Sequence, residues 1–364
     1  MLTALLVIVI LVFLIVVHEL GHFVAAKLSG VKVEEFGIGY PPRAFTFGTF
    51  GGTEYTLNWI PFGGFVRLFG DEGQKQHGKG SFLDAARWKQ ALILVAGVAM
   101  NALMAWLLLA IALHIGVPQS VAQPLPGEAT RLIVADVVAD SPASIAGIKP
   151  GDELVGVSDE MGTRIIDTFT PDTVVAFVQS HAGKPLEVVY KHAGVEKSAT
   201  MTPAQGVLDN AAGQPALGVA LVLVANRSLP WGQSAIDAFL DTLDSFRSVG
   251  ANLWSLVAGA FTGGIDLSQV VGPVGIVSYV GEASQNGFGA VLMLASIISV
   301  NLAVINIIPI PALDGGRLAV LAIEVATRRA APVFAMRVVN AVGITLIVLL
   351  MIVVTYHDIG RLFA

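Results

Sequence analysis

The chain contains no cysteine and few charged residues. The absence of cysteine among its 364 residues excludes disulfide scaffolds, thiol nucleophiles and thiolate metal ligands. Charged residues make up 13% of the sequence, about half the share usual in soluble globular domains. A net charge of −6 leaves no basic footprint for nucleic acid, so nucleic acid is not expected as a partner. With 54% hydrophobic residues and a mean hydropathy of +0.74, the composition predicts that lipid surrounds much of the chain.

Four apolar segments each approach the ~20 residues that a helix needs to cross the hydrocarbon core. They run from about residue 2 to 26, 91 to 115, 290 to 310 and 332 to 355. A cleaved signal peptide is the alternative for the first segment, but it has no Lys or Arg before it and no small-residue cleavage site after it. The sequence therefore predicts a polytopic α-helical membrane protein with four transmembrane helices.

Lys and Arg close to the spans predict the orientation in the membrane. They occur in the linkers that join span one to span two and span three to span four, at Lys27, Lys32, Arg87 and Lys89 and at Arg317, Arg328, Arg329 and Arg337. Both linkers are therefore expected on the cytoplasmic side, which leaves both termini and the middle of the chain outside. The predicted parts are a first membrane half, an extracytoplasmic domain and a second membrane half, at 1–115, 116–229 and 230–364.

Two further segments are predicted to associate with the membrane without crossing it. Apolar residues recur at helical spacing over about 234–254, which predicts an amphipathic helix on the outer surface before span three. Within the cytoplasmic linker 27–90, residues 44–60 alternate apolar with small or polar side chains around Gly51-Gly52. That pattern predicts a β-hairpin.

The segment 116–229 is predicted to be a compact domain of strands and short helices. Arg131–Val138 and Leu186–Tyr190 have the alternation of strands, and Ser141-Pro142 is a typical helix start. The stretch Ser141–Asp152 resembles a PDZ domain, which typically binds an extended peptide or a chain end by adding a strand to its sheet. A generic small β domain that only spaces or shields the membrane part is the alternative.

An HExxH motif, His18-Glu19-Leu20-Gly21-His22, lies inside the first span. Residues four apart stand on one face of a helix, so the two imidazoles can share a metal ion. Glu19 is on the adjoining surface, where it can reach a water molecule at the metal without being a ligand. Zinc is the natural ion, because two nitrogens, one carboxylate and an open position form a familiar catalytic set. The alternative is a polar helix contact without metal; a lipid-facing role is excluded by a cost of about 2.5–3.5 kcal/mol per charged residue.

Asp314 is the predicted third ligand. Spans one and three run in the same direction, so residues just after span three reach a depth similar to that of the two histidines. In the stretch Asn306–Gly316, two prolines break the helix and two glycines permit close backbone approach, so a non-helical turn can present the Asp314 carboxylate. Glu324 is the reserve ligand. His357 and Asp358 are expected at the opposite membrane face and are disfavoured.

Together these motifs resemble the site-2 protease family of intramembrane zinc metalloproteases, and most closely the bacterial branch that regulates extracytoplasmic sigma factors. The resemblance covers nearly the whole chain and rests on His18–His22, Asn306–Gly316, Gly272–Ile276, Pro61–Val66 and Asp358–Leu362. It implies a zinc site formed by His18, His22 and Asp314. It further implies that Glu19 is the catalytic base, that Asn306 positions substrate or the oxyanion, and that residues 44–60 form a membrane-reentrant hairpin that guides substrate.

The resemblance also implies a function and a location. Such a protein is an endopeptidase of the bacterial inner membrane that cleaves single-span transmembrane substrates, with anti-sigma factors or remnant signal peptides as the implied partners. Two features differ from the family pattern: Ala96-Gly97-Val98 stands where Ala-Gly-Pro is usual, which leaves Asn101 without an assigned role, and only one PDZ-like domain fits. The rival hypotheses are a membrane-anchored peptide-binding scaffold with an inactive metal site and, with little support, a transporter.

Overall fold

The computed structural model describes residues 2–71, 77–164, 169–192, 194–205, 214–262, 271–329 and 332–363. The chain forms two compact units. The first comprises Met1–His114 together with Leu229–Ala364, and the second comprises Ile115–Ser228. The sequence-based limits for the middle segment are 116 and 229.

Both units combine helices and strands, which are numbered in chain order. The helices are α1 (Leu2–Ser29), α2 (Arg87–Ile115), α3 (Pro142–Ile145), α4 (Pro171–Ser180), α5 (Trp231–Thr262), α6 (Pro273–Gln285), α7 (Phe288–Ile307), α8 (Asp314–Thr327) and α9 (Val333–Phe363). The strands are β1 (Val33–Phe50), β2 (Thr53–Leu68), β3 (Val117–Ser120), β4 (Thr130–Val137), β5 (Glu153–Asp159), β6 (Leu186–His192), β7 (Val195–Met201) and β8 (Val219–Arg227).

Four helices among the described residues are long and apolar enough to cross a membrane, as predicted. They are α1, α2, α7 and residues 338–360 of α9. Span three was predicted to end at about residue 310, whereas α7 stops at Ile307 and Ile308 is extended with ψ 140°. The cause is Pro309, since a residue before proline is sterically kept out of the helical region.

Helices α1, α2 and α7 pack closely through small residues. A Cβ atom at Gly21 of α1 would lie 2.3 Å from the Ala96 carbonyl oxygen of α2, so the glycine permits the contact. Between α2 and α7, Ser296 and Ser299 donate buried hydrogen bonds to the carbonyls of Ala105 and Asn101, at 2.7 and 2.8 Å. These contacts fix the backbone of α2 against its two neighbours.

Helix α5 covers the segment 234–254, for which an amphipathic helix was predicted, and extends beyond it at both ends. Its second half packs against other helices: Phe246, Val249 and Leu253 contact a cluster that contains Ala105 and Val300. Ile236, Phe239, Leu240 and Leu243 in the first half are exposed, which is compatible with the predicted position on a membrane surface. Helix α6 was not predicted, because its sequence is short and has a weaker apolar pattern than the spans.

Strands β1 and β2 form the predicted antiparallel hairpin. The turn is Gly51-Gly52, with φ +58° and +77°, a conformation that favours glycine. The hairpin extends well beyond residues 44–60, and its register shifts repeatedly near Glu35 and Phe36. Its base is buried, whereas aromatic side chains near the turn are exposed: Phe45, Phe47 and Phe50.

The second unit contains one antiparallel sheet with strand order β3-β8-β4-β5-β6-β7. Alternate side chains of β4 and β6 are buried, among them Leu132, Val134, Leu186 and Val188. Helix α3 begins as predicted: Pro142 is in its first turn, and the Ser141 hydroxyl accepts a hydrogen bond from the Ser144 N–H at 3.2 Å.

Candidate active site

His18 and His22 lie one helical turn apart on α1 and face the interior of the first unit. Both are more than nine-tenths buried. Their Nε2 atoms are 3.2 Å apart, and the rings meet edge to face with centroids 4.8 Å apart. The predicted sharing of one helix face is therefore present in the structure.

Asp314 joins the two histidines from the opposite end of the sequence. Its Oδ2 atom is 3.0 Å from His18 Nε2 and 3.1 Å from His22 Nε2. The three ligand atoms lie within 4.8 Å of one another, and Oδ2 is buried without a well-formed hydrogen bond among the described residues. Two imidazole nitrogens and one carboxylate with an unsatisfied oxygen fit a zinc ion that keeps one position open.

Asp314 reaches this place through a break between α7 and α8. The chain leaves the helical conformation at Ile308, and Ala312 has φ +75°. The next two glycines have no room for a side chain, since a Cβ atom would lie 2.3 Å from the Ile307 carbonyl at Gly315 and 2.2 Å from the Ile310 carbonyl at Gly316. The predicted non-helical turn precedes Asp314, whereas Asp314 itself is the first residue of α8.

Hydrogen bonds from α2 orient the imidazoles. His22 Nδ1 lies 2.8 Å from the Ile93 carbonyl oxygen, which can only accept, so Nδ1 carries the proton and Nε2 keeps its lone pair for a metal. The Asn101 side chain lies 3.3 Å from His18 Nδ1. Neither contact was predicted from the sequence.

Gly97 on α2 packs directly against both histidines. A Cβ atom there would lie 2.4 Å from His22 Nε2 and 2.8 Å from His18 Cε1. No other residue type fits this position without moving the imidazoles. The sequence did contain a signal that α2 faces the histidines. Gly97 and Asn101 are four residues apart, and residues four apart on a helix share a face.

A cavity of about 350 Å³ opens onto the three ligand atoms. Glu19 and Asn306, the two predicted catalytic residues, both line it, so the structure places all five predicted site residues around one space. Residues 63–66 of β2 form another wall. The Glu19 side chain approaches this strand closely, since a Cβ atom at Gly64 would lie 3.1 Å from Glu19 Cγ.

The other acids considered from the sequence lie elsewhere. Glu324, the reserve ligand, forms an ion pair with Arg87 at 2.8 Å and is outside the metal cluster. Asp358 is buried and accepts hydrogen bonds from the N–H groups of Gly272 and Gly275 at the start of α6, at 3.3 and 2.9 Å. Both carboxylates are therefore occupied by contacts within the protein.

Comparison with known families shows what kind of protein carries this site. The sequence model described as Peptidase family M50 matches residues 6–350. The chain belongs to peptidase family M50. This M50 protein is thus a zinc metalloprotease and an integral membrane protein, which confirms the resemblance to the site-2 proteases and the expected zinc cofactor.

Relatives of the M50 protein match over nearly its whole length. A candidate zinc metalloprotease of Clostridium perfringens is 35% identical over 95% of this chain and 95% of its own. The zinc metalloprotease RasP of Geobacillus kaustophilus is 26% identical over 96% of each chain. Among solved structures, the PDZ domain of an SdrC-like protein from Listeria monocytogenes is 20% identical, with a TM-score of 0.20 over 25% of this chain and 85% of its own.

Proposed function

We propose that this M50 protein is an intramembrane endopeptidase that cleaves single-span transmembrane proteins. In this proposal His18, His22 and Asp314 hold one zinc ion and Glu19 is the catalytic base. The observation that carries it is that the His18 and His22 nitrogens, on a helix apolar enough to cross a membrane, and an Asp314 oxygen lie within 4.8 Å of one another, beside Glu19. A metal site in such a helix acts on substrates that are themselves in the membrane.

The residues around the cavity have different roles in hydrolysis. Zinc bound there supplies a Lewis acid that lowers the pKa of water and polarises a carbonyl. Glu19 takes the proton from the attacking water and then gives it to the leaving amine. Asn306 has an amide N–H group with which it can donate a hydrogen bond to the oxygen that becomes negative in the transition state.

A substrate helix must be unwound before it can react, because its peptide groups are engaged in its own hydrogen bonds. Exposed backbone groups are costly in lipid, so the unwound segment needs new partners. We propose that it pairs as a strand with residues 63–66 of β2, which line the cavity next to Glu19. This pairing would hold the scissile bond beside the metal.

The location and partners of the protein follow from the same proposal. The basic linkers favour a cytoplasmic position for the hairpin and the active site, and an outer position for residues 115–228 and both termini in a bacterial inner membrane. The second unit is proposed to be a PDZ-like domain that binds a peptide or chain end. The proposed substrates are anti-sigma factors or remnant signal peptides.

Replacement of Glu19 tests the proposal directly. Glu19→Gln removes the base and leaves the three zinc ligands, so we expect normal zinc content and a loss of about 10²- to 10⁴-fold in the cleavage rate of a co-expressed single-span substrate. Glu324→Gln is the matched control, since Glu324 pairs with Arg87 outside the cavity, and it should cleave normally. Undiminished cleavage by Glu19→Gln would refute the catalytic assignment. Wild-type protein that binds peptide but neither binds zinc nor cleaves would favour the scaffold hypothesis.

A further inference from the structure

Asn101 is a buried polar residue in the middle of an apolar helix. It is fully buried on α2, and its side-chain amide nitrogen is 3.3 Å from His18 Nδ1. Its Oδ1 atom has no hydrogen-bond partner among the described residues. Its backbone is held separately, because the Ser299 hydroxyl donates to the Asn101 carbonyl oxygen at 2.8 Å. The backbone at this position is therefore held, while one end of the side-chain carboxamide is unsatisfied.

When one ring nitrogen of a histidine binds a metal, the other ring nitrogen needs a suitable hydrogen-bond partner. A neutral histidine that coordinates a metal through Nε2 carries its proton on Nδ1, and that N–H needs an acceptor. For His22 the acceptor is the Ile93 carbonyl oxygen at 2.8 Å. For His18 the group in the equivalent place is the Asn101 carboxamide.

The two ends of a carboxamide have nearly the same shape but opposite hydrogen-bonding roles. With its nitrogen toward His18, Asn101 donates to Nδ1, which puts the imidazole proton on Nε2 and blocks the metal position. After a half-turn about the Cβ–Cγ bond, Oδ1 accepts from the Nδ1–H. The same turn gives the unsatisfied oxygen a partner and frees the His18 Nε2 lone pair.

We infer that Asn101 is a positioning residue for the zinc site: its carboxamide oxygen accepts the hydrogen bond of His18 Nδ1–H and selects the tautomer that binds the metal. This inference rests on the proposed zinc site of His18, His22 and Asp314. In this inference α2 orients both histidine ligands, with Ile93 bound to His22 and Asn101 bound to His18.

Zinc competition with a chelating dye tests the inference on the full-length protein in detergent. Asn101→Leu keeps a side chain branched at Cγ but has no acceptor, so the zinc dissociation constant should rise about 10- to 100-fold. Asn101→Asp can only accept, and it should keep the affinity within a few-fold of wild type, about the scatter of such measurements. Ser296→Ala is the control, because it removes a buried hydrogen bond between α2 and α7 without touching His18. The absorption spectrum of bound Co²⁺ should be altered in Asn101→Leu and normal in Asn101→Asp.

The outcomes separate this inference from the proposed function. Wild-type protein without zinc affinity would refute the zinc site itself. Wild-type affinity in a folded Asn101→Leu variant would refute the role of Asn101 alone. An Asn101→Asp variant that loses zinc would show that the amide nitrogen, rather than the oxygen, is required, and this result decides the matter even if Asn101→Leu does not fold. An equal loss in Ser296→Ala would assign the effect to helix packing and overturn the inference.

Discussion

Two membrane-spanning helices of this protein carry histidine and an acid, with opposite outcomes. On α1, His18 and His22 meet the unsatisfied Oδ2 of Asp314 at the edge of a cavity. On α9, both oxygens of Asp358 accept backbone N–H groups at the start of α6. Ionisable residues within a span are expensive and are commonly functional. Of these two acids, Asp314 is the one with an oxygen that lacks a well-formed hydrogen bond among the described residues, and it is the one that meets two histidines.

Among the variants that test this comparison, Asp314→Asn should have the largest effect, which is on zinc affinity. The variant replaces one ligand oxygen with an amide and removes the negative charge, so zinc affinity should fall by more than about 100-fold, beyond the loss caused by outer partners alone. Metal analysis of the purified variant checks this expectation. Full zinc occupancy would remove Asp314 from the ligand set.

Gly97→Ala tests whether α2 packs against the histidines as closely as the distances indicate. The new methyl group would lie 2.4 Å from His22 Nε2, so the imidazoles must move and zinc affinity should fall at least about 10-fold. Gly250→Ala in α5 is the control, because a Cβ atom there meets nothing within 4 Å. Equal zinc affinities in the two variants would contradict the close approach of α2 to the site.

Asp358→Ala tests the other side of the comparison. The variant leaves the Gly272 and Gly275 N–H groups at the start of α6 without their acceptor, so we expect a loss of stability of about 1–3 kcal/mol, the range for a donor left unsatisfied. Zinc affinity should be unchanged. Thermal unfolding in detergent and zinc competition measure the two quantities, and a loss of zinc without a loss of stability would reverse the assigned roles.

Glu128 in the second unit extends the comparison to an acid outside the apolar helices, with the smallest expected effect. Two hydrogen bonds from Arg227 and one from the Leu125 N–H lower the pKa of Glu128 from 4.5 to about 2. Because the folded pKa is depressed, the contribution to stability is complete above about pH 4.5 and is lost as the pH falls toward 2. Hydrogen exchange of residues 115–228 in the full chain should show this loss. Glu128→Gln should make exchange there less dependent on pH in the same window.

The predictable parts of the structure are those set by local pattern. The HExxH spacing places His18 and His22 on one helix face whatever surrounds the helix, and Gly51-Gly52 determines the hairpin turn. Asp314 was found because it follows a span that runs in the same direction as the first. Asn101 was noticed in the sequence but left without a role, because an asparagine in an apolar helix does not indicate which neighbour it faces. Helix α6 was missed because its short sequence has a weak apolar pattern and because its contact with Asp358 joins Gly275 to a residue 83 positions away.

The two segments of the first unit that flank residues 115–228 in the sequence are in contact with each other. The Leu229 N–H donates to the Leu113 carbonyl oxygen at 2.9 Å, and the His114 imidazole stacks on the Trp231 indole with ring centroids 3.9 Å apart. Residues 115–228 are thus an insertion whose termini are already joined by the host. An insertion of this kind can be exchanged, enlarged or duplicated without moving the residues of the host. The inserted unit can therefore change in evolution while the first unit, which contains the candidate active site, stays the same.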